Sequence, residues 1–450
     1  MRHGFPRSCE NGMKVLIVSF SFPPSNVVGA IRVGKLARYL DRRGYDLRVL
    51  TTDICGDRSL PLDIPRERVI YTDYRQRKDR LPILVRSARR RPVAAPGTSG
   101  AISPGESGTW SKLLWNSLRR HYYGFLHIPD LRRDWIKTAV PAGRRLIEKW
   151  KPDIIFGSAP PFTGLIISSR LSRAFDIPWI ADFRDLWVDG PYYNEPGWRR
   201  RVDAVLEQAT VRSASALVTV SPSWGEKLLR RHRKATEVVY NGYAEEDFPQ
   251  SVPQADRGEV LTIRYTGSIY PGFRDPSAVF AAIRLLPNTL RSRVIVEFFG
   301  DAGDDVLALA VKHCVRDRIT VSPPVPYRRA LELQMSADIL LLLQWSDKRD
   351  EGNLPGKIFE YLYARRPILL IGYEHGVAAR LVWERGAGLV SNAPERIRDQ
   401  LKAWIEDKQA GRLNSLDPSV SRDLSRDHQF RKLEEIFVRV LNERHSATRT

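Results

Sequence analysis

Cysteine is scarce in this chain. Three residues of 450 (Cys9, Cys55 and Cys314) lie far apart, and none belongs to a C-x-x-C pair. That excludes a disulfide framework and a thiolate metal site, and it fits a reducing cytoplasm. The eight histidines include no H-x-x-x-H pair, so a zinc-binding helix is absent as well. No apolar run reaches the length of a membrane span. "DILLLLQW" and "PILLIGY" are short enough to read as buried strands. The opening "MRHGFPRSCENG" lacks an apolar core segment and reads as a loose leader over 1–12, with Met13 as a second candidate start. No G-x-G-x-x-G follows the first strand, so a dinucleotide fingerprint is missing too.

Charge, by contrast, is abundant and of one sign. The formal net charge is +20, while 42% hydrophobic and 28% charged residues are ordinary for a globular protein. Residues 75–149 hold 17 Lys/Arg against 5 Asp/Glu, so about +12 of the excess falls in one stretch. The same stretch carries Trp110, Trp115, Tyr122, Tyr123, Phe125 and Trp135. Nucleic acid and an anionic membrane surface are the two attractors for such a segment, and a solvated face without a partner is the bland alternative.

The rhythm along the chain is that of an α/β protein. "MKVLIVSFSFPP" is a buried strand ending in a loop, "GAIRVGKLARYLDRRGY" has helical apolar spacing, and "DLRVLTT" is the next strand. Strand, glycine-containing loop, helix and strand make the βαβ unit of a parallel sheet. "RRRPVAAPGTSGAISPGESG" predicts a flexible surface loop, followed by the amphipathic "WSKLLWNSLRRHYYGFL". Alternation resumes at 142–161 and runs to "VVYNGY", whose Asn-Gly reads as a turn. The polar, proline-containing stretch 246–258 is the candidate linker. A second α/β series then occupies 259–425, and "HQFRKLEEIFVRVLNER" is a closing amphipathic helix within 426–450. Two Rossmann-like domains, 13–245 with a basic insertion at 75–149 and 259–425, predict a ligand between them at the carboxyl ends of their strands.

The sharpest chemical signal is "EGNLPGKIFEYLYARRPILLIG". A glycine-proline turn leads into a helix with Lys357 at its start and Glu360 one turn on, on the same face. A cation at a helix N-terminus opposes the helix dipole, so the placement is unfavourable until an anion binds. With the N–H groups around Gly356, Lys357 and Ile358 it makes a diphosphate site, while Glu360 can accept from both ribose hydroxyls. Gly267 and Ser268, after the strand "LTIRYT", allow close backbone approach to phosphate. In "IPWIADFRDLW", Asp182, Arg184 and Asp185 put three charges in four residues straight after an apolar strand. There a carboxylate can orient or deprotonate an acceptor hydroxyl and an arginine can meet a leaving phosphate, or the pair can brace the domain. Trp187 and Trp345 carry no assignment, core packing being the commoner use of tryptophan.

In this order and spacing, "SFPP…G…R", "PDIIFGSAPP", "IPWIADFRDLW", "VTVSPS", "VVYNGY", "YTGSIYPG" and "PGKIFEYLYARRPIL" resemble family-four retaining glycosyltransferases. The nearest likeness is to bacterial surface-polysaccharide members with an FRDLW-like segment. The resemblance implies the α/β GT-B fold: two Rossmann-like domains with parallel sheets facing across a cleft, and a C-terminal helix packing back on the first domain. It implies a nucleoside-diphosphate sugar donor, UDP-sugar favoured, and a glycan or lipid-linked acceptor bound by the first domain. It adds Gly29 as a backbone contact near sugar and diphosphate, and Arg274 as a second phosphate-binding basic residue. Two positions depart from the family pattern. The first glutamate of its pair falls on Gly352, with Glu351 one place off, and its catalytic-region histidine aligns with Arg184. No D-x-D stands at a strand end, and the resemblance places "DAGDD" (301–305) beside the nucleobase, so metal-independent chemistry with no cofactor is expected.

The expected location is cytoplasmic, on the inner face of the cell membrane, docked through 75–149; basic residues near an anionic surface contribute about 1 kcal/mol each. A sugar-nucleotide 2-epimerase shares the architecture but needs no acceptor and calls for a richer set of carboxylates and histidines. A nucleic-acid-binding protein would account for the charge alone, and no recognition motif for nucleic acid is present.

Overall fold

The computed structural model describes residues 12–53, 58–74, 127–250, 258–270, 272–301 and 303–447. The first sheet is built from β1 (Lys14–Ser19), β2 (Asp46–Thr52), β3 (Val69–Thr72), β4 (Ile154–Ala159), β5 (Trp179–Phe183), β6 (Ala216–Thr219) and β7 (Thr236–Val238). Its order is β3-β2-β1-β4-β5-β6-β7. The second comprises β8 (Leu261–Thr266), β9 (Val294–Phe299), β10 (Ile319–Ser322), β11 (Ile339–Leu343), β12 (Ile368–Ile371) and β13 (Gly388–Val390), in the order β10-β9-β8-β11-β12-β13. The pairings of β1 with β2 and β4, and of β8 with β9 and β11, are parallel.

Burial accounts for these strands. β4, β5, β11 and β12 are buried at every residue, as strands covered by helices on both faces must be. Such runs are continuous Ile, Leu and Phe rather than alternating. In both sheets the strand order reverses beside the first strand, between β1 and β4 and again between β8 and β11. A crevice opens there, outside the carboxyl ends, and it is where open α/β sheets bind ligands.

Contacts divide the chain into two compact units: 1–217 with 443–450, and 218–442. The division falls inside β6. The C-terminal helix Arg426–Ala447 starts in the second unit, where the Arg426 N–H donates to Tyr243 O at 2.7 Å. Its last turns belong to the first, where Arg444 donates to the Asp176 carboxylate at 2.7 Å.

Most of the basic stretch, 75–126, lies outside the described residues, and with it the surface loop and the amphipathic segment. The remainder, 127–149, corrects the reading of an insertion of one character. Trp135 is fully buried, edge-on to Phe20 at 5.3 Å, with its indole N–H donating to Thr72 Oγ1 at 2.8 Å. A membrane-facing role for this tryptophan is excluded, because its ring is already core. The helix Ile136–Trp150 continues that packing through Ala139, Gly143 and Ile147.

Candidate functional site

In the second unit the chain brings together the phosphate and ribose residues expected from sequence. The eight-residue helix Lys357–Ala364 is too short to persist alone. It is fixed by Ile358, Phe359, Tyr361 and Leu362, all buried in the core. Lys357 thereby points at the loop after β8. Its Nζ donates to Thr266 O at 2.7 Å and lies 4.3 Å from the centre of the Tyr265 ring. It pairs with no carboxylate among the described residues. Burial pushes the Lys357 ammonium down to about 7, Arg274 adds to the fall, and Glu360 opposes it.

Gly267 makes room for this lysine. Its φ is +125°, and a Cβ there would lie 2.6 Å from Lys357 Nζ. Only glycine meets both conditions. The loop is then cross-tied: Ser268 O accepts from Tyr265 OH and from Arg274 Nη1, each at 2.8 Å, and Ser268 Oγ donates to Asp301 at 3.2 Å. Arg274 also lies over the Tyr270 ring at 4.6 Å. One expected donor is already used: the Ile358 N–H donates to Pro355 O at 3.1 Å, so Ile358 contributes packing rather than a phosphate contact.

Glu360 is held from a neighbouring helix that the motif did not reveal. Its carboxylate accepts from Tyr327 OH at 3.0 Å and from Gln334 Nε2 at 3.1 Å, and Gln334 also donates to Thr266 Oγ1 at 3.1 Å. These bonds set the carboxylate's orientation and leave lone pairs for further donors. Burial, with Glu360 next, raises the Tyr327 hydroxyl far above its ordinary value.

The departure at Gly352 has a steric reason. A Cβ at that position would lie 2.3 Å from the Trp224 indole, so no carboxylate fits. Glu351 does not replace it. It faces Lys227 at 2.9 Å, and that partner holds its carboxyl below the usual range.

In the first unit the "DFRD" cluster separates into three roles. Asp182 is fully buried; it accepts from Ser158 Oγ at 2.7 Å and pairs with Arg32 at 3.2 Å. With both oxygens engaged below the surface, it braces the helix Val28–Arg42 against β4 and β5. Arg184 follows directly on the end of β5. Its guanidinium donates to Pro160 O, and a Cβ on Gly29 would lie 2.4 Å from its Nη1. Gly29 and Arg184 are thus in contact, and Arg184 Nε is buried without a partner. Burial lowers the guanidinium's pKa, opposed by Asp182 and Asp185, yet an arginine stays charged. Asp185 is exposed. The surrounding protein raises its carboxyl to about 6 against the pull of Arg184, and the solvent on its outer side favours a smaller rise.

Residues 29–244 match the glycosyl transferase 4-like domain family. A match of that kind supports a transferase enzyme, and the architecture agrees. The solved structure of sucrose-phosphate synthase from Thermosynechococcus elongatus superposes with TM-score 0.55 at 14% identity, covering 97% of this chain and 98% of that one. Anabaena HepE in complex with UDP-glucose gives TM-score 0.59 at 12% identity, covering 95% and 99%. A UDP-N-acetylglucosamine 2-epimerase from Listeria monocytogenes, so named provisionally, gives TM-score 0.54 at 11% identity, covering 94% and 95%. At these identities the likeness is one of fold, and the fold is the GT-B type. The sequence matches no curated protein. Among the described residues, no cluster of His, Cys, Asp or Glu could hold a metal ion, and no helix is long and apolar enough to cross a membrane.

Proposed function

We propose that this glycosyltransferase moves a sugar, with retention and without a metal, from a nucleoside-diphosphate sugar, UDP-sugar favoured, to a glycan or lipid-linked acceptor in bacterial surface-polysaccharide synthesis. The observation that carries the donor assignment is Lys357, a half-buried cation that donates to Thr266 O and has no ion-pair partner among the described residues. Perturbed groups of this kind cluster at functional sites. The departing diphosphate supplies the missing charge, beside the backbone of Gly267 and Ser268 and the N–H groups of Gly356 and Lys357. Arg274 adds a second cation and Glu360 takes the ribose hydroxyls. For Gly29, Arg184 and Asp185 of the first domain, a part in the transfer rests on the family resemblance, and the contact between Gly29 and Arg184 supports reading those two together. Retention and the surface-polysaccharide role rest on the family resemblance, and the HepE complex with UDP-glucose favours a UDP-sugar.

Epimerisation of a nucleotide sugar is the second reading, favoured by the Listeria structure; it would yield product without any acceptor. The decisive experiment is a calorimetric titration of UDP with EDTA present, at pH 8, in two buffers of different ionisation heat. An anion raises the Lys357 pKa from about 7, so binding should take up roughly one proton, and Lys357→Met should abolish the uptake. UDP binding with equal proton uptake in both proteins removes Lys357 from the phosphate site.

A further inference from the structure

The second unit also contains a cavity of about 800 Å³ that none of the donor residues lines. That volume is in the range of small-molecule sites. Its walls come from the end of the helix Lys357–Ala364 with the two arginines that follow, from Met335 at the end of the helix Tyr327–Met335, from Tyr243 and Glu245, and from 413–422. Lys357 stands at the opposite end of the first of these helices, about 12 Å away at the rise of an α-helix.

Three arginines line this cavity: Arg365, Arg366 and Arg422. Arg365 and Arg366 are half-buried and each spends one nitrogen, Arg365 Nε on Leu416 O at 2.7 Å and Arg366 Nε on Met335 O at 3.0 Å. A guanidinium carries five N–H donors, so the outer nitrogens of both forks stay available. Basic side chains near helix C-termini are stabilising in themselves, which accounts for Arg365 and Arg366. It does not account for Arg422. That side chain is exposed, and its guanidinium makes no hydrogen bond or ion pair among the described residues.

The charge on the lining selects a ligand class. Its one carboxylate, Glu245, accepts from Tyr363 OH at 3.2 Å. Asp417 lies alongside, outside the lining, and accepts from the Ser419 N–H at 2.8 Å; that bond, with Arg365 and Arg422 behind it, holds its carboxyl below the usual range. Three arginines against Glu245 leave a surplus of two positive charges on the lining. A phosphomonoester carries about −1.5 to −2 at neutral pH, and guanidinium forks match phosphate oxygens. A single carboxylate would answer half of the surplus. Asn414, Ser415 and Ser419 add short polar side chains beside the arginines. We propose that this cavity is a second phosphate site, separate from the donor site, which takes the phosphomonoester of a small soluble molecule. The assignment stands on the cavity alone and does not depend on the donor reading of Lys357.

The test is calorimetry on the full-length protein carrying Lys357→Met, which takes the donor cation out of the comparison. Inorganic phosphate and glucose 1-phosphate are the probes, with acetate and methyl α-glucoside as controls at the same ionic strength. Both phosphates should bind, at least tenfold more tightly than acetate, and the neutral glucoside should not bind. Arg422→Glu changes a side chain too exposed to decide folding, and it should weaken both phosphates about tenfold or more. Arg422→Lys keeps the charge without the fork and should recover part of that loss. With Lys357 intact, Arg422→Glu should leave UDP affinity unchanged. No binding of either phosphate, acetate as tight as phosphate, or equal phosphate affinity in Arg422→Glu overturns the proposal. Binding only to phosphatidate vesicles, abolished by Arg422→Glu, would assign the site to a lipid headgroup and overturn the soluble ligand. Loss of UDP affinity in Arg422→Glu would overturn the separation of the two sites.

Discussion

At Lys357 the protein holds an ammonium where folding alone would not keep it. The folded pKa is about 7, whereas a free lysine titrates near 10.4. Below pH 7 the native state bears the cost of this half-buried charge, on the order of a few kcal/mol at most because solvent still reaches it. Between about 7 and 10.4 the unfolded chain binds more protons than the native one, so this deficit shrinks as pH rises. Lys357→Met should therefore be more stable than the parent in urea melts at pH 7, and the gap should narrow toward pH 10. The same variant should lose about 10²-fold or more in transfer rate, since the leaving charge goes unmet. A variant no more stable at pH 7, or one with near-normal transfer, removes the strain or the role. Glu360 responds differently, because Tyr327 and Gln334 already hold it in place. Glu360→Gln should weaken UDP by about 1.5–3 kcal/mol, the worth of a hydrogen bond to a charged group. Unchanged UDP affinity in calorimetry would end the ribose assignment.

At the scale of elements, the loop after β8 and the helix Lys357–Ala364 form one device. Gly267→Ala places a methyl group where Lys357 Nζ sits and strains a backbone at φ +125°. It should cost about 1–3 kcal/mol of stability, lower the melting temperature, and depress transfer by displacing the lysine. Wild-type melting and activity would separate the two elements. Their existence was legible in the sequence, because a glycine after an apolar strand and a lysine at a helix start are local patterns. Central strands such as β4, β11 and β12 were legible for the same reason: burial on both faces leaves a largely apolar run. What sequence could not give is the set of contacts made from afar. Gly352 reads as a missing glutamate until Trp224, 128 positions earlier, is found against it. Asp182 reads as a candidate base until Arg32 and Ser158 are found closing over it. Trp135 reads as a membrane aromatic until Phe20 and Thr72 enclose it. In each case the deciding neighbour is distant in the chain, and no periodicity records it.

At the scale of the whole molecule the unabsorbed quantity is charge. The donor and cavity residues account for little of the net +20, and many described arginines are spent locally, as Arg199 is on Asp203 and Arg264 on Glu297 at 2.6 Å. With Trp135 and its helix assigned to the core, the docking role proposed for the basic stretch falls on 75–126, outside the described residues. Those positions still hold 11 Lys/Arg against 2 Asp/Glu, and Trp110, Trp115, Tyr122, Tyr123 and Phe125 remain beside them. Reversing Arg89, Arg90, Arg91, Arg119 and Arg120 to glutamate changes the local charge by ten units. At about 1 kcal/mol per basic residue near an anionic surface, that is enough to end reversible attachment. Sedimentation with vesicles of mixed neutral and anionic lipid should show parent binding that falls as salt rises, since screening shortens the reach of surface charge. The reversed protein should stay in the supernatant at every salt concentration. UDP affinity should hold, because Lys357 and its neighbours take their partners from within the second unit. Persistent vesicle binding by the reversed protein, or a parallel loss of UDP affinity, would detach this stretch from membrane docking.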